Sequence, residues 1–172
     1  MEQQEELYDL LIVADATYSM SDYLTSLQTS LPQIISISAL TGCFSRIGLL
    51  GYRDYGDEDL LEWSGWLDQS SGEEQPDLVA KSKSIAPNGG GDYPEATKTG
   101  LAKAYEVMRE EATTIILLYT DAPPHAAVNA PALETNSNHA QEKRALSKPE
   151  SYGGFGPSFV DWVSACKPLR SG

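Results

Sequence analysis

Two apolar runs constrain this chain more than any other feature. One is Leu10-Leu11-Ile12-Val13-Ala14, within a nearly unbroken apolar stretch over residues 8–14; the other is Thr-Ile-Ile-Leu-Leu-Tyr over residues 114–119. An apolar run without alternation suits a strand buried on both faces. Between the runs lie segments with helical spacing. Strands alternating with helices imply parallel pairing through crossover connections. The expected fold class is therefore α/β: a Rossmann-like open, mostly parallel sheet with helices on both faces. Further strands are expected at residues 46–52 and, at a sheet edge, at residues 60–67 with its two tryptophans.

The helical segments carry their own marks. Over residues 20–38, Tyr23, Leu24, Leu27, Leu31, Ile34 and Ile35 recur at helical spacing. Pro32 is expected to kink or shorten that helix. Residues 77–85 are a short helix candidate. Pro94 suits a first helical turn, and a longer helix is expected from there to about residue 111, with Ala96, Leu101, Ala104, Tyr105 and Met108 facing inward. Residues 121–157 lack periodicity, a length of loop that in compact domains is usually either functional or disordered; here it is a candidate for partner specificity. Residues 159–169 read as a last amphipathic helix. At 172 residues the chain has room for one domain with a real core.

The formal net charge of −13 argues against binding a nucleic-acid backbone or an anionic membrane surface. It favours cations or basic partners, although surplus acid is most often solvated surface. Cys43 and Cys166 make neither a disulfide framework nor a zinc spacing and are expected to be reduced and buried. The start, Met-Glu-Gln-Gln-Glu-Glu, is acidic and unlike a secretory signal. The uncharged residues 23–45 are about half Ser, Thr, Gln, Gly or Pro, unlike a membrane span. A soluble, cytoplasmic protein without membrane insertion is the expectation.

Chemistry concentrates where the apolar runs end. Asp15, Thr17 and Ser19 alternate directly after the first run, so one turn can aim a carboxylate and two hydroxyls at one point. Three oxygens around one point suit a hard divalent cation. Asp121 follows the second run, and Gly89-Gly90-Gly91-Asp92 precedes a helix. In an open α/β sheet, ligands bind beyond the carboxyl ends of the strands. Asp15 and Asp121 belong at that edge, and a glycine loop can approach it closely. Each feature also has a plainer reading: Asp15, Ser19 or Ser21 could cap a helix, and the glycines could be a flexible turn. The glycines lack the Gly-Lys-Ser/Thr ending of a phosphate loop. His125 and His139 are too far apart to share a helical face, and His125 reads as a loop residue near the metal edge. Arg53 and Asp54 are expected to pair locally. Trp63 and Trp66 fall on opposite or adjacent strand faces, with at least one in the core.

These residues carry a family resemblance. From about residue 8 to residue 169 the chain resembles a von Willebrand factor A (VWA) domain, whose metal-ion-dependent adhesion site (MIDAS) follows its first strand as Asp-x-Ser-x-Ser. Asp15, Thr17 and Ser19 match that element, with threonine in place of the first serine. Asp121 matches the family's later aspartate, and Asp92 stands where the family has a threonine. Gly-Gly-Gly-Asp-Tyr-Pro-Glu-Ala, Gly-Tyr-Arg-Asp-Tyr and Thr-Asp-Ala-Pro-Pro-His resemble an intracellular subgroup sometimes found beside α-kinase domains. No kinase segment is present here. The resemblance implies a single VWA-like domain over residues 1–172, short of a last strand and helix.

It also implies roles. Thr17 and Ser19 would coordinate the metal directly, and Asp15 and Asp121 directly or through water. An open coordination position would take an acidic side chain from an unidentified protein partner, with Tyr18, Tyr93 and His125 on the partner-binding rim. The cation is expected to be Mg²⁺, with Mn²⁺ or Ca²⁺ as alternatives. An aspartate at position 92 adds a charge that threonine lacks, which should hold the metal more firmly and weaken the preference for acidic ligands.

The expected function is thus a metal-dependent protein–protein interaction module with no enzymatic activity. The competing readings are a Mg²⁺-dependent phosphoryl-transfer hydrolase and a structural VWA domain with a non-functional metal site. The first lacks an Asp-x-Asp general acid, because Thr17 stands in that place, and a positioned lysine. No Gly-x-Ser-x-Gly of a serine hydrolase occurs.

Overall fold

The computed structural model describes residues 6–71, 76–90 and 94–124, with positions 141 and 144. Strand β1, Leu7–Asp15, is the centre of the molecule. Its last seven residues are all buried, because strands flank both its edges and apolar side chains cover both its faces. Strand β2, Arg46–Tyr52, pairs parallel to β1 on one side, and β4, Ala112–Tyr119, pairs parallel on the other. Strand β3, Leu61–Asp68, adds to the outer edge of β2 in the antiparallel sense, giving the order β3-β2-β1-β4.

The antiparallel β3 is the exception in an otherwise parallel sheet, and it takes the edge position expected for residues 60–67. Only a short polar turn separates it from β2, and a parallel connection needs a dozen or more residues. A bulge interrupts this hairpin between Gly48 and Leu50, and Gly65 opposite has φ +79°. The extra residue brings Trp63 and Trp66 onto one face, where simple alternation would separate them. Their rings meet edge to face at 5.4 Å, and both pack on the core beside Leu50 and Tyr52.

Helix α1, Ser21–Thr41, inserts Leu24, Leu27 and Leu31 against Leu10, Ile12 and Ala14. It runs through Pro32 without ending, so the proline does not shorten it. Pro32 stands on the exposed side, where water can serve the carbonyl that the missing N–H leaves without a helical donor. Gly42 ends the helix with φ +64° and an N–H donated to the Ser38 carbonyl. Helix α2, Leu78–Ser84, lies on the same face, capped by Asp77, whose carboxylate accepts from the Ala80 N–H.

Helix α3, Thr97–Val107, covers the opposite face, so helices do lie on both sides of the sheet. It begins three residues after Pro94 and ends at Met108, whose extended backbone stops it short of residue 111. Tyr105 faces outward rather than inward, 39% exposed. Gly100 has a packing reason: a Cβ there would sit 3.0 Å from the Tyr52 ring.

At the sheet's far end Asp9, fully buried, accepts from Arg46 and Arg109. This ties β1 to β2 and to the approach to β4. Strand β4 is less covered than its apolar sequence suggests. Ile116 and Leu118 pack toward α3, whereas Ile115, Leu117 and Tyr119 are 37–40% exposed. These three align with Leu10, Ile12 and Ala14 across the ladder. The cover that α1 provides on this face therefore ends before β4 among the described residues. Cys43 is free and exposed, contrary to the expected burial, because it follows the end of α1. No helix among the described residues is long and apolar enough to cross a membrane. The expected loop beyond residue 124, the helix at 159–169, His139 and Cys166 lie outside the described residues.

Candidate metal-binding cleft at the strand ends

The parallel pairing puts the ends of β1 and β4 side by side, with Ala14 opposite Tyr119. The chain turns sharply after Asp15. The Asp15 Oδ1 atom accepts from the Thr17 N–H (2.9 Å) and the Thr17 hydroxyl (2.6 Å). This local turn uses the carboxylate to fold residues 15–17 rather than to cap a helix. A short 3₁₀ turn, Tyr18–Met20, then leads into α1. Neither that turn nor α1 has a side-chain cap bond, so the capping reading of Asp15, Ser19 and Ser21 is not realised. The Ser21 hydroxyl instead donates to the Tyr18 carbonyl.

The turn lines up oxygens. Thr17 Oγ1 and Ser19 Oγ lie 3.4 Å apart, and the Ser19 hydroxyl donates to Asp121 Oδ1 at 3.1 Å. That last contact joins residues 102 positions apart. Both line a cleft of about 200 Å³ with Tyr18, Gly89, Gly90 and Glu95. A volume of this size holds an ion with a few waters, whereas pockets for drug-sized ligands run from about 300 Å³ upward. Among the described residues no three His, Cys, Asp or Glu side chains form a metal-holding group. A cation here would therefore need the hydroxyls as well as the carboxylates.

Asp15 lies beneath the cleft. It is fully buried, and its second oxygen accepts from the Thr120 hydroxyl at 3.3 Å. Burial pushes its carboxyl above the usual range, against the hydrogen bonds from Thr17, while the charge of Asp121 pushes the same way as burial. Tyr52, at the end of β2, is buried alongside. Its phenol is raised chiefly by burial, with the Asp15 and Glu95 charges adding to the effect. Its hydroxyl accepts from Thr97 at 3.2 Å. Arg53 is structural, as its position in the polar turn suggests. It pairs with Glu62 at 2.7 Å and donates to the carbonyls of Asp59 and Ala86.

Of the residues singled out from sequence, Thr17, Ser19 and Asp121 meet at the cleft with Tyr18 on its wall, and Asp15 supports them from below. Asp92, Tyr93 and His125 lie outside the described residues. Glu95 was not anticipated. It is 3% exposed and lines the cleft, and its N–H donates to the Pro123 carbonyl, fastening it to the loop that carries Asp121. Its one sequence signal was a position just after the glycine loop.

No protein-family profile matches the chain. A protein of Acanthamoeba polyphaga mimivirus, named for an ariadne-like RING finger (R811), is 34% identical over 167 residues, 97% of this chain. The chain spans only 15% of that relative's length. Among solved structures, the pilus adhesin SpaC of Lactobacillus rhamnosus GG matches over 71% of this chain and 16% of its own, with a TM-score of 0.56 at 16% identity. Its open conformation gives 0.52 at 20% identity, over 71% of this chain and 15% of its own. At such identities the likeness concerns the fold alone: the chain shares with part of a pilus adhesin an open, mostly parallel α/β sheet flanked by helices on both faces.

Proposed function

We propose that this chain is a VWA-like, metal-ion-dependent protein-interaction module, with a divalent cation held at the ends of β1 and β4. One observation carries the reading: the Thr17, Ser19 and Asp121 oxygens follow one another at 3.4 and 3.1 Å around one cleft. Adjacent ligands of an octahedral ion at about 2.1 Å are separated by about 3.0 Å, so the spacing fits a hard cation with little rearrangement. Mg²⁺ is the preferred ion, since neutral hydroxyls with few carboxylates suit it, and Mn²⁺ should bind in the same place.

The chain's own residues divide the work. Asp15 fixes the Thr17 hydroxyl and N–H, and its buried charge raises the demand for positive charge above it. Ser19 and Asp121 bring the two strand ends together. When bound, the cation supplies an electrophilic anchor for an oxygen donor, which we assign to an acidic side chain of a protein partner. A net charge of −13 would otherwise repel such a group. Asp15 is fully buried beneath the cleft and its Oδ1 atom accepts both the Thr17 N–H and the Thr17 hydroxyl, which favours binding over a nucleophilic, phosphoryl-transfer role.

The test is calorimetric titration of Mg²⁺, Mn²⁺ and Ca²⁺ into chelator-stripped protein, beside a Ser19→Ala, Asp121→Ala double variant. Saturable binding lost in the variant supports the reading and calls for a search for protein partners with metal present. A folded protein that binds none of the three ions refutes it in favour of a scaffold.

A further inference from the structure

The turn after β1 makes one wall of the cleft, the Asp121 loop and Glu95 contribute to its lining, and the wall facing Thr17 is the backbone of Gly89 and Gly90. Both have positive φ, +76° and +83°, a backbone that glycine adopts freely but that does nothing to fix where the loop sits. Two main-chain bonds join the loop to the first wall. The Asn88 N–H donates to the Ala16 carbonyl at 3.0 Å, and the Tyr18 N–H donates to the Gly89 carbonyl at a long 3.4 Å.

A third contact comes from the turn between β2 and β3. Asp57 Oδ2 accepts from the Gly90 N–H at 3.2 Å and from the Asp54 N–H at 3.1 Å. The Asp57 N–H in turn donates to the Asp54 carbonyl. One oxygen therefore bridges two loops 33 residues apart, and its own turn is closed behind it. The fit is tight: a Cβ built on Gly89 would collide with the Asp57 carboxylate. On its other side the loop presses on the site, since a Cβ on Gly90 would lie 3.2 Å from Thr17 Cβ and 3.3 Å from Glu95 Oε1. The loop is held between Asp57 and the Thr17 hydroxyl turn.

We infer that Asp57 is a positioning residue for the cleft: its carboxylate presses the Gly89 and Gly90 backbone toward Thr17 and Glu95 and so sets the cleft's width. This rests on the metal-binding reading above. Asp57 is not among the cleft-lining residues, so it acts through the loop and not as a ligand. A small misplacement of the wall is enough to weaken such a site, because Mg²⁺, the preferred ion, demands near-ideal octahedral geometry.

The test is Mn²⁺ titration of the full chain, followed by calorimetry and by Mn²⁺ electron paramagnetic resonance, with the melting temperature of each metal-free variant recorded. Asp57→Ala should weaken Mn²⁺ binding about tenfold, while Asp57→Asn, which keeps an acceptor oxygen but loses the charge, should stay within about threefold of wild type. Glu58→Gln removes a neighbouring exposed charge and should change nothing. Gly89→Ala strains the same contact from the other side, so its loss of affinity should be smaller in an Asp57→Ala background than alone. This pair keeps the idea testable if Asp57→Ala alone folds poorly.

Equal losses in Asp57→Asn and Asp57→Ala would mean a long-range charge effect and overturn the positioning role. So would unaltered binding in Asp57→Ala, or strict additivity with Gly89→Ala. Failure of the wild-type chain to bind Mn²⁺ would instead bring down the metal-binding reading itself.

Discussion

Asp121→Ala separates metal binding from folding at this site. Asp121 is exposed, and among the described residues it accepts one hydrogen bond, from the exposed Ser19 hydroxyl. Removing a surface side chain with one such contact should change metal-free stability by no more than about 0.5 kcal/mol, a shift of about 1–2 °C in melting temperature for a domain of this size. Its effect on the ion should be far larger. Loss of one charged oxygen interaction is worth about 1.5–3 kcal/mol, or about 10- to 150-fold in affinity. Melting with and without Mn²⁺ reads both quantities. At about 100 times the wild-type Kd, the ion stabilises wild type by about 2.7 kcal/mol, roughly 5–11 °C. At that same concentration a variant weakened about 100-fold gains only about 0.4 kcal/mol. The expected outcome is a metal-free melt like wild type and a nearly vanished Mn²⁺ shift. A variant that keeps the full shift would show that Asp121 is no ligand. A metal-free melt lowered by many degrees would show that its bond to Ser19 supports the fold.

Asp9→Ala leaves Arg46 and Arg109 without the buried carboxylate they share. Both arginines are partly exposed and can rehydrate, so the loss should fall at the lower end for a broken buried pair, about 3 kcal/mol; a melting temperature reduced by less than about 3 °C would contradict this. Gly100→Ala should destabilise, although alanine in a helix interior normally gains about 1 kcal/mol over glycine: Tyr52 is fully buried, held by Thr97, and meets the new Cβ at 3.0 Å. Chemical denaturation reads the sign directly, and a higher midpoint would refute the packing argument. Asp15→Asn should stabilise the metal-free protein at neutral pH. Burial raises the Asp15 carboxyl in the folded state, so its favourable contribution is complete below the ordinary carboxylate pKa of about 4. That contribution is lost as pH rises through the raised folded value. Wild type should fall behind the variant over that window and stay behind above it, and a saturating metal should reverse the order at neutral pH. A pH-independent difference would mean that Asp15 is not strained by burial.

What could be read from the chain without coordinates follows from how each residue is placed. Residues one step beyond a buried strand inherit their position from the ladder, and the ladder is written in the apolar runs. The alignment of β1 with β4 brings the chain ends after Ala14 and Tyr119 together, and with them Asp15 and Asp121, so these two and the hydroxyls of the first turn were legible. The tryptophan pair was not, because a bulge at Gly65 overrides strand alternation; the glycine inside the strand was the one signal for it, and its place in the register is set only by pairing with β2. The edge place of β3 was legible too, and its antiparallel sense follows from a connection to β2 too short for a crossover. Glu95 and Asp57 were invisible for a different reason. Glu95 is set by a main-chain bond to Pro123, and Asp57 acts on Gly90 across 33 positions. Loop-to-loop bonds of this kind have no period. The oxygen-lined side of such a cleft can thus be found from strand ends alone, while the residues that hold its other side emerge only from contacts between loops. A motif search would find the same Asp15, Thr17, Ser19 and Asp121 in a chain whose glycine loop was held by nothing, and on the proposal that they hold a cation with Asp57 behind the loop, that chain would bind it less well.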